Sequence, residues 1–232
     1  MNEISIIPIT GIPEISKGDD LASLTLNSLE NIGKKVQDKD IFVVTQKIVS
    51  KSEGMDRDLN EFTFDELINL ETDQIIRKRG DLVIARTKHG IICANAGIDK
   101  SNIDKSKVLL LPRDPNKSAD NFRNQIEKET NKNVAVIITD TFGRAWRKGQ
   151  VNFAIGSSGI TPLNSYIGEF DTFGNELFAT EIAVIDEIAS AAELVMEKSL
   201  NIPVALIRNF NYKNSEENAN ILIRDKSEDF FL

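Results

Sequence analysis

LVIARTKHGIICA, residues 82–94, carries two apolar runs, Leu82 to Ala85 and Ile91 to Ala94, separated by only Arg86 to Gly90. Two strand-length runs that close together leave no room for a crossover helix, so they predict an antiparallel hairpin. Other apolar runs of strand length sit at Ile4 to Ile9, Ile41 to Thr45, Val108 to Leu111, Val134 to Thr139 and Val204 to Ile207. Several are rich in Val and Ile, as buried strands are. Between them, helical spacing links Leu21, Leu24, Leu26 and Leu29, then Phe64, Leu67, Ile68, Ile75 and Ile76, then Phe122 to Glu129. The strongest helix is expected from Ile182 to Lys198, with Pro203 just beyond it and a small-residue face at Ala189, Ala191 and Ala192 that implies close helix contact. Strands and helices do not alternate cleanly, so the expected class is α+β, with mixed sheets and packed helices, rather than a doubly wound sheet.

The 232 residues form one domain over 1–232, or two small interlocked subdomains, with no repeat or linker to divide them. A net charge of -8 disfavours nucleic acid and anionic membrane as partners, so any phosphate must be bound locally. The single cysteine, Cys93, lies in an apolar run and reads as a core residue; with His89 the only histidine, zinc has few ligands to choose from. No run approaches the length of a membrane span and the start MNEISIIPIT is no signal peptide, which predicts a cytoplasmic protein. The terminal Phe230, Phe231 and Leu232 are expected to dock onto the body of the protein.

Four segments carry candidate chemistry. In IITDTFGRAWRKGQ, residues 137–150, an apolar strand delivers Asp140 and Thr141 to a loop with Arg144, Arg147 and Lys148. A carboxylate so placed suits Mg2+ or Mn2+, which prefer oxygen ligands, while the cations suit phosphate or carboxylate groups. An equally open reading makes Asp140 a turn cap and leaves the arginines solvated. Trp146 can stack on a ligand or anchor an interface. In CANAGIDKSN, residues 93–102, Asp99, Ser101 and Asn102 either join Asp140 in a metal cradle or form an ordinary turn. In FVVTQKIVSKSEG, residues 42–54, Lys47 and Lys51 share a face if the segment is helical, and can serve phosphates or simply be solvated. TGIPEISKGDD, residues 10–20, can lie against a purine or merely connect a strand to a helix. There is no GxxxxGK[ST] loop, so a nucleotide would be held in another way.

Seven motifs occur in order: GIPEISKGDDL (11–21), VVTQKIVSKSEG (43–54), HGIICANAGIDKSN (89–102), LPRDPNKSA (111–119), VIITDTFGRAWRKGQ (136–150), FAIGSSGI (153–160) and IPVALIR (202–208). With them the chain resembles the coenzyme F420-0:L-glutamate ligases, the gamma-glutamyl ligase family, which use GTP to add L-glutamate to the lactyl-phosphate arm of a deazaflavin. The resemblance implies an unusual α+β fold, an intertwined homodimer and activation through an acyl phosphate. It puts Asp99 and Asp140 on a first divalent metal ion, Mn2+ or Mg2+, and Thr141 on a second, with K+ as a further ion. It puts Ile12, Pro13, Glu14, Ile15, Gln46, Lys47, Lys51, Asn102 and Met196 against GTP. Arg144, Trp146 and Arg147 are the candidates for binding the acceptor. The chain departs from the family after Met196, where MEKSLNIP (196–203) is short; Glu197 supplies a second-metal ligand only with a one-residue shift, because Lys198 takes the simpler alignment. A metal-dependent phosphohydrolase, a binding protein without turnover and a ligase for another carboxylate remain open as alternatives.

Overall fold

The computed structural model describes residues 3–101 and 103–230, so Asn102, Phe231 and Leu232 lie outside the described residues. In chain order the elements are β1 (Ser5–Pro8), α1 (Leu21–Asn31), β2 (Ile41–Thr45), α2 (Gln46–Glu53), β3 (Asp56–Asp58), α3 (Phe64–Glu71), β4 (Thr72–Arg79), β5 (Leu82–Thr87) and β6 (Ile92–Ala94). They continue with β7 (Lys107–Leu109), α4 (Pro115–Thr130), β8 (Ala135–Arg144), β9 (Arg147–Ser158), β10 (Asn164–Ser165), β11 (Glu181–Ile182), α5 (Val184–Met196) and β12 (Val204–Arg208).

The main sheet has the order β1-β12-β2-β8-β9 and is mixed: only β2 and β8 run parallel, and the other pairs are antiparallel. Side chains alternate across a strand, and here both faces are covered. Phe42, Val44, Val136 and Ile138 meet Leu29, Phe122 and Ile126 on one side. Ile41, Val43, Ala135 and Ile137 meet Ile185, Ile188, Ala189 and Ala192 on the other. The small face of α5 therefore lies on the sheet rather than on another helix, which corrects the expected helix contact. Phe42 is wholly buried, and Phe42→Ala would cost about 3–5 kcal/mol through lost transfer energy and the cavity left behind.

A third apolar cluster is built from residues between 55 and 110: Met55, Leu67, Ile68, Val83, Ala85, Ile98, Val108 and Leu110. It underlies the sheet β4-β5-β6 and the pair β3-β7. The hairpin read from residues 82–94 is present, with Ala85 opposite Cys93. Helix α3 begins with a capping box between Thr63 and Glu66, but it ends at Glu71. Ile75 and Ile76 lie on β4 instead, because its antiparallel partner β5 supplies ladder hydrogen bonds that override the helical spacing.

Two local features shape strand β9 and its neighbours. Helix α4 starts with Asp114 as cap and Pro115 in its first turn, and Gly156 on β9 lies against it. A Cβ on Gly156 would fall 2.4 Å from the Pro115 backbone, so only glycine permits this approach of strand and helix. Strands β8 and β9 form a long antiparallel ribbon, which makes Asp140 and Thr141 mid-strand residues paired with Phe153 and Asn152. The expected loop after Asp140 is thus a strand, and the reversal comes only at Ala145 and Trp146. At the other end of the chain Phe230 is 90% exposed and not docked. Among the described residues no helix is long and apolar enough to cross a membrane.

Candidate active site

Two cavities of about 290 and 260 Å³ meet at Lys47, Asp140, Thr141 and Lys198. The larger is lined by Ile12, Pro13, Glu14 and Ile15 from the loop after β1, by Gln46, Lys47 and Lys51 from α2, and by Met196 and Glu197 at the end of α5. The smaller adds Asp99, Ser101, Gly143 and Gln150. Residues scattered over the sequence from 12 to 198 are therefore gathered around one recess.

Helix α2 follows β2 without an intervening loop, and Thr45 makes no side-chain capping bond. Its first N–H groups thus have no capping side chain, which favours an anion there. Lys51 lies one turn after Lys47 and pairs with Glu14. Gln46 is buried; its Oε1 accepts from Ser50 Oγ at 2.8 Å, while its Nε2 has no partner. Thr139 Oγ1, on the neighbouring strand, is likewise buried without a partner. Both residues line the larger cavity, and unpaired buried polar groups are costly unless a ligand or water completes them.

The two carboxylates arrive on different elements. Asp99 forms an isolated bridge with Leu109, its N–H and C=O each bonded at 2.9 Å. Its Oδ1 accepts from the Ser101 N–H at 2.7 Å and Oγ at 2.8 Å, and its Oδ2 is paired with the Lys47 ammonium. Burial acts to raise its pKa, but Lys47 and Ser101 together outweigh burial and hold it below the usual carboxylate range. Asp140 is pushed up to about 7, chiefly by burial and further by the charge of Asp99, against the opposing Thr141 N–H and the Lys47 and Lys198 charges.

Asp99 and Asp140 bring two carboxylates of the kind a divalent cation takes to one cavity, and among the described residues no group of three or more His, Cys, Asp or Glu stands together there. A cation, the Lys47 ammonium, already rests on Asp99, and Asp140 lacks a compensating charge close enough to keep it ionised. Thr141 is engaged as Asp99 is, by a lysine ammonium. The Thr141 hydroxyl donates to Asn152 Oδ1 at 2.6 Å and accepts from Lys198 Nζ at 2.5 Å. Lys198 also pairs with Glu193 at 3.1 Å, and Asn152 donates to the other Glu193 oxygen at 2.9 Å. The ammonium stands where an ion on Thr141 would stand. Glu197 ends α5 at a positive φ of 45° and lines the larger cavity together with Thr141, Asn152, Glu193 and Lys198. Glu193 and Asn152 were missed from sequence; the signals were Glu193's place one turn before Glu197 and Asn152's cross-strand register with Thr141.

The acceptor candidates separate. Arg144 lines a third cavity beside the recess, whereas Trp146 is 86% exposed at the tip of the β8–β9 ribbon and Arg147 is exposed beside it. Cys93 is buried and its thiol is pushed up to about 12 by burial and the Asp140 charge, so it is no nucleophile. Another cavity, of about 330 Å³ under α1 and α4, has its acids already engaged: Asp20 caps α1, and Glu53 accepts from Arg113 N and Ser118 Oγ.

Comparison with known proteins identifies the family. A Coenzyme F420:L-glutamate ligase of Methanothermobacter thermautotrophicus is 36% identical over 98% of both chains. One from Methanocaldococcus jannaschii is 42% identical, covering 84% of this chain and 86% of its own. One from Archaeoglobus fulgidus is 37% identical, covering 90% and 88%. The family model described as F420-0:Gamma-glutamyl ligase matches residues 10–209, and the chain belongs to that family.

Proposed function

We propose that the protein is a GTP-dependent ligase that joins L-glutamate to the lactyl carboxylate of the deazaflavin F420-0, forming an amide in coenzyme F420 biosynthesis. The observation that carries this reading is the convergence of Asp99 and Asp140 with the Lys47/Lys51 face of an uncapped helix in one recess. The family description supports F420-0 as the acceptor, and the names of the relatives support L-glutamate as the amino acid.

A carboxylate is a poor acyl donor, so the acceptor oxygen attacks the γ-phosphorus of GTP, the bond to the bridging oxygen breaks, and GDP leaves with the electron pair. The glutamate nitrogen then attacks the acyl carbon, the carbon–oxygen bond to phosphate breaks, and the amine gives up its proton. Phosphoryl transfer is mostly positioning and electrostatics, so no side-chain nucleophile is needed. Lys51 and the first turn of α2 hold the phosphates, and the Gln46 amide supplies the donor that lacks a partner. Asp99 and Asp140 would hold a Mn2+ or Mg2+ ion, which neutralises phosphate charge when bound. Lys47, which pairs with Asp99, lines both cavities and would supply its charge to phosphate oxygen. Lys198 contributes its charge from the Thr141 side.

Assembly as a homodimer is part of the reading. Ile167, Phe170, Phe173 and Phe178, on the arm between β10 and β11, are 53%, 67%, 90% and 75% exposed, an apolar group that favours a covering partner. Light scattering of purified protein should give twice the chain mass, and Phe173→Asp should reduce it.

The decisive experiment is mass spectrometry after incubation with F420-0, L-glutamate, GTP and Mn2+. A product heavier by one glutamate residue, absent when GTP or glutamate is omitted, supports the ligase; no such product, in protein that binds GTP and Mn2+, rejects it.

A further inference from the structure

The third cavity, of about 430 Å³, lies within the size range of small-molecule sites, about 300–1,000 Å³. Its walls combine two features that seldom meet on a surface loop. One wall is apolar and aromatic: Phe142 of β8 and Phe153 of β9, diagonal to one another across the ribbon, have ring centroids 6.1 Å apart and planes 19° apart, with Ile91 and Ile155 beside them. The other is cationic, with Arg86 from β5, Arg144 from the end of β8 and Arg224 from the C-terminal segment.

The arginines are differently committed. Arg86 faces Asp229 at 3.9 Å. Arg144 donates to the Lys148 carbonyl at 2.8 Å, and Arg224 to the Glu228 carbonyl at 3.4 Å; neither has a carboxylate partner among the described residues. Arg144 Nε is buried with no partner at all. Asp186, the remaining acid on the wall, is spent on the Ala154 N–H at 2.8 Å. A buried guanidinium nitrogen without an acceptor is costly, and in a chain of net charge -8 such a cluster marks a local place for an anion.

The cavity also connects with the chemistry. Phe142 and Gly143 line both it and the recess that holds Asp99 and Asp140. Gly143 stands at the junction beside open space: an added Cβ there meets nothing within 4 Å, and the residue is not in the left-handed region, so a larger side chain can be placed there. A molecule seated against the phenylalanines can therefore extend an arm past Gly143 to Asp140.

We infer that this cavity is the acceptor subsite, taking a planar, largely apolar ring system with an anionic arm, the ring against Phe142 and Phe153 and the anion on Arg144 and Arg224. The inference rests on the ligase reading and adds a location to it. It also removes Trp146 and Arg147 from acceptor binding, since neither lines the cavity.

The test is direct titration of the full-length protein with F420-0 in the absence of nucleotide, followed by the absorbance and fluorescence of the deazaflavin, together with steady-state kinetics. Arg144→Ala and Arg224→Ala should each raise the deazaflavin Kd and KM about tenfold, the expected loss for a charge-assisted bond, with the KM for GTP unchanged. Gly143→Val should lower kcat by at least that much while leaving the deazaflavin Kd within about twofold, because it narrows the passage without touching the ring seat. Arg224 and Gly143 are exposed, which keeps these variants foldable. Unchanged deazaflavin Kd in Arg144→Ala and Arg224→Ala, with wild type binding and turning over, overturns the subsite alone. A wild type that neither binds nor glutamylates F420-0 overturns the ligase reading and the subsite with it.

Discussion

The two carboxylates of the candidate recess are held by opposite means. Asp140 stands in the middle of β8, inside the five-stranded sheet, where burial pushes its carboxyl up to about 7. Asp99 stands on a bridge to Leu109 in the 55–110 layer, where Lys47 and Ser101 overcome burial and keep it ionised. Rigidity is supplied at the rear wall and charge compensation at the front. A recess so divided keeps Asp99 ionised through the neutral range, while Asp140 gains its charge only as pH rises through about 7.

The largest test of that contrast is to remove each charge in turn. Asp140→Asn and Asp99→Asn should both lower turnover by about a thousandfold or more, as loss of a metal-holding carboxylate does. Their stabilities should move in opposite directions. The folded Asp140 keeps its proton to about pH 7, whereas an unfolded one loses it near 3.8, so the metal-free fold loses stability as pH rises through that window. Asp140→Asn should therefore stabilise metal-free protein at pH 8 by about 1–3 kcal/mol in urea unfolding, a range that allows for the side chain's partial access to water. Asp99→Asn should destabilise it by about 1 kcal/mol by leaving Lys47 unpaired. Equal and same-signed changes would erase the distinction between the walls.

The next effect in size concerns pH. Because Asp140 must give up a proton to hold a cation, Mn2+ affinity measured by calorimetry should fall about tenfold for each pH unit below about 7. A flat profile between pH 5.5 and 7 would mean that Asp140 is already ionised. Smaller again is Lys198→Met, which frees Thr141 and Glu193; electron paramagnetic resonance should then count one more Mn2+ per chain in the presence of GTP, with KM for GTP shifted only severalfold. Smallest is Ser101→Ala, which removes one hydroxyl bond to Asp99 and should raise its pKa slightly, at a cost below about 1 kcal/mol.

The same contrast explains what could be read from the sequence. Strands β2, β8 and β12 are covered on both faces, so they appear as unbroken Val and Ile runs and were legible. Strand β4, TDQIIRKR, is largely exposed and polar, and Ile75 is 49% exposed; its spacing imitates a continuation of α3 because pairing, not pattern, decides its state. The first half of β9, RKGQ, is exposed too and reads as a loop until its register with β8 is known. Asp99, Asp140, Lys47 and Lys51 stand in ordered motifs and were candidates from the start. Glu193 and Asn152 were not, because a glutamate on an amphipathic helix and an asparagine on a strand acquire their roles only by meeting Thr141 and Lys198.

The ribbon that carries Asp140 ends in the chain's only tryptophan, Trp146, 86% exposed in the native fold. Its emission maximum is therefore expected near that of an indole in water, so unfolding in urea should shift the wavelength little, and it is a poor gauge of global unfolding. The same placement makes it a background-free spectroscopic probe of the ribbon tip, two residues from Arg144, where quenching on addition of a deazaflavin would time the arrival of the ligand without any attached label.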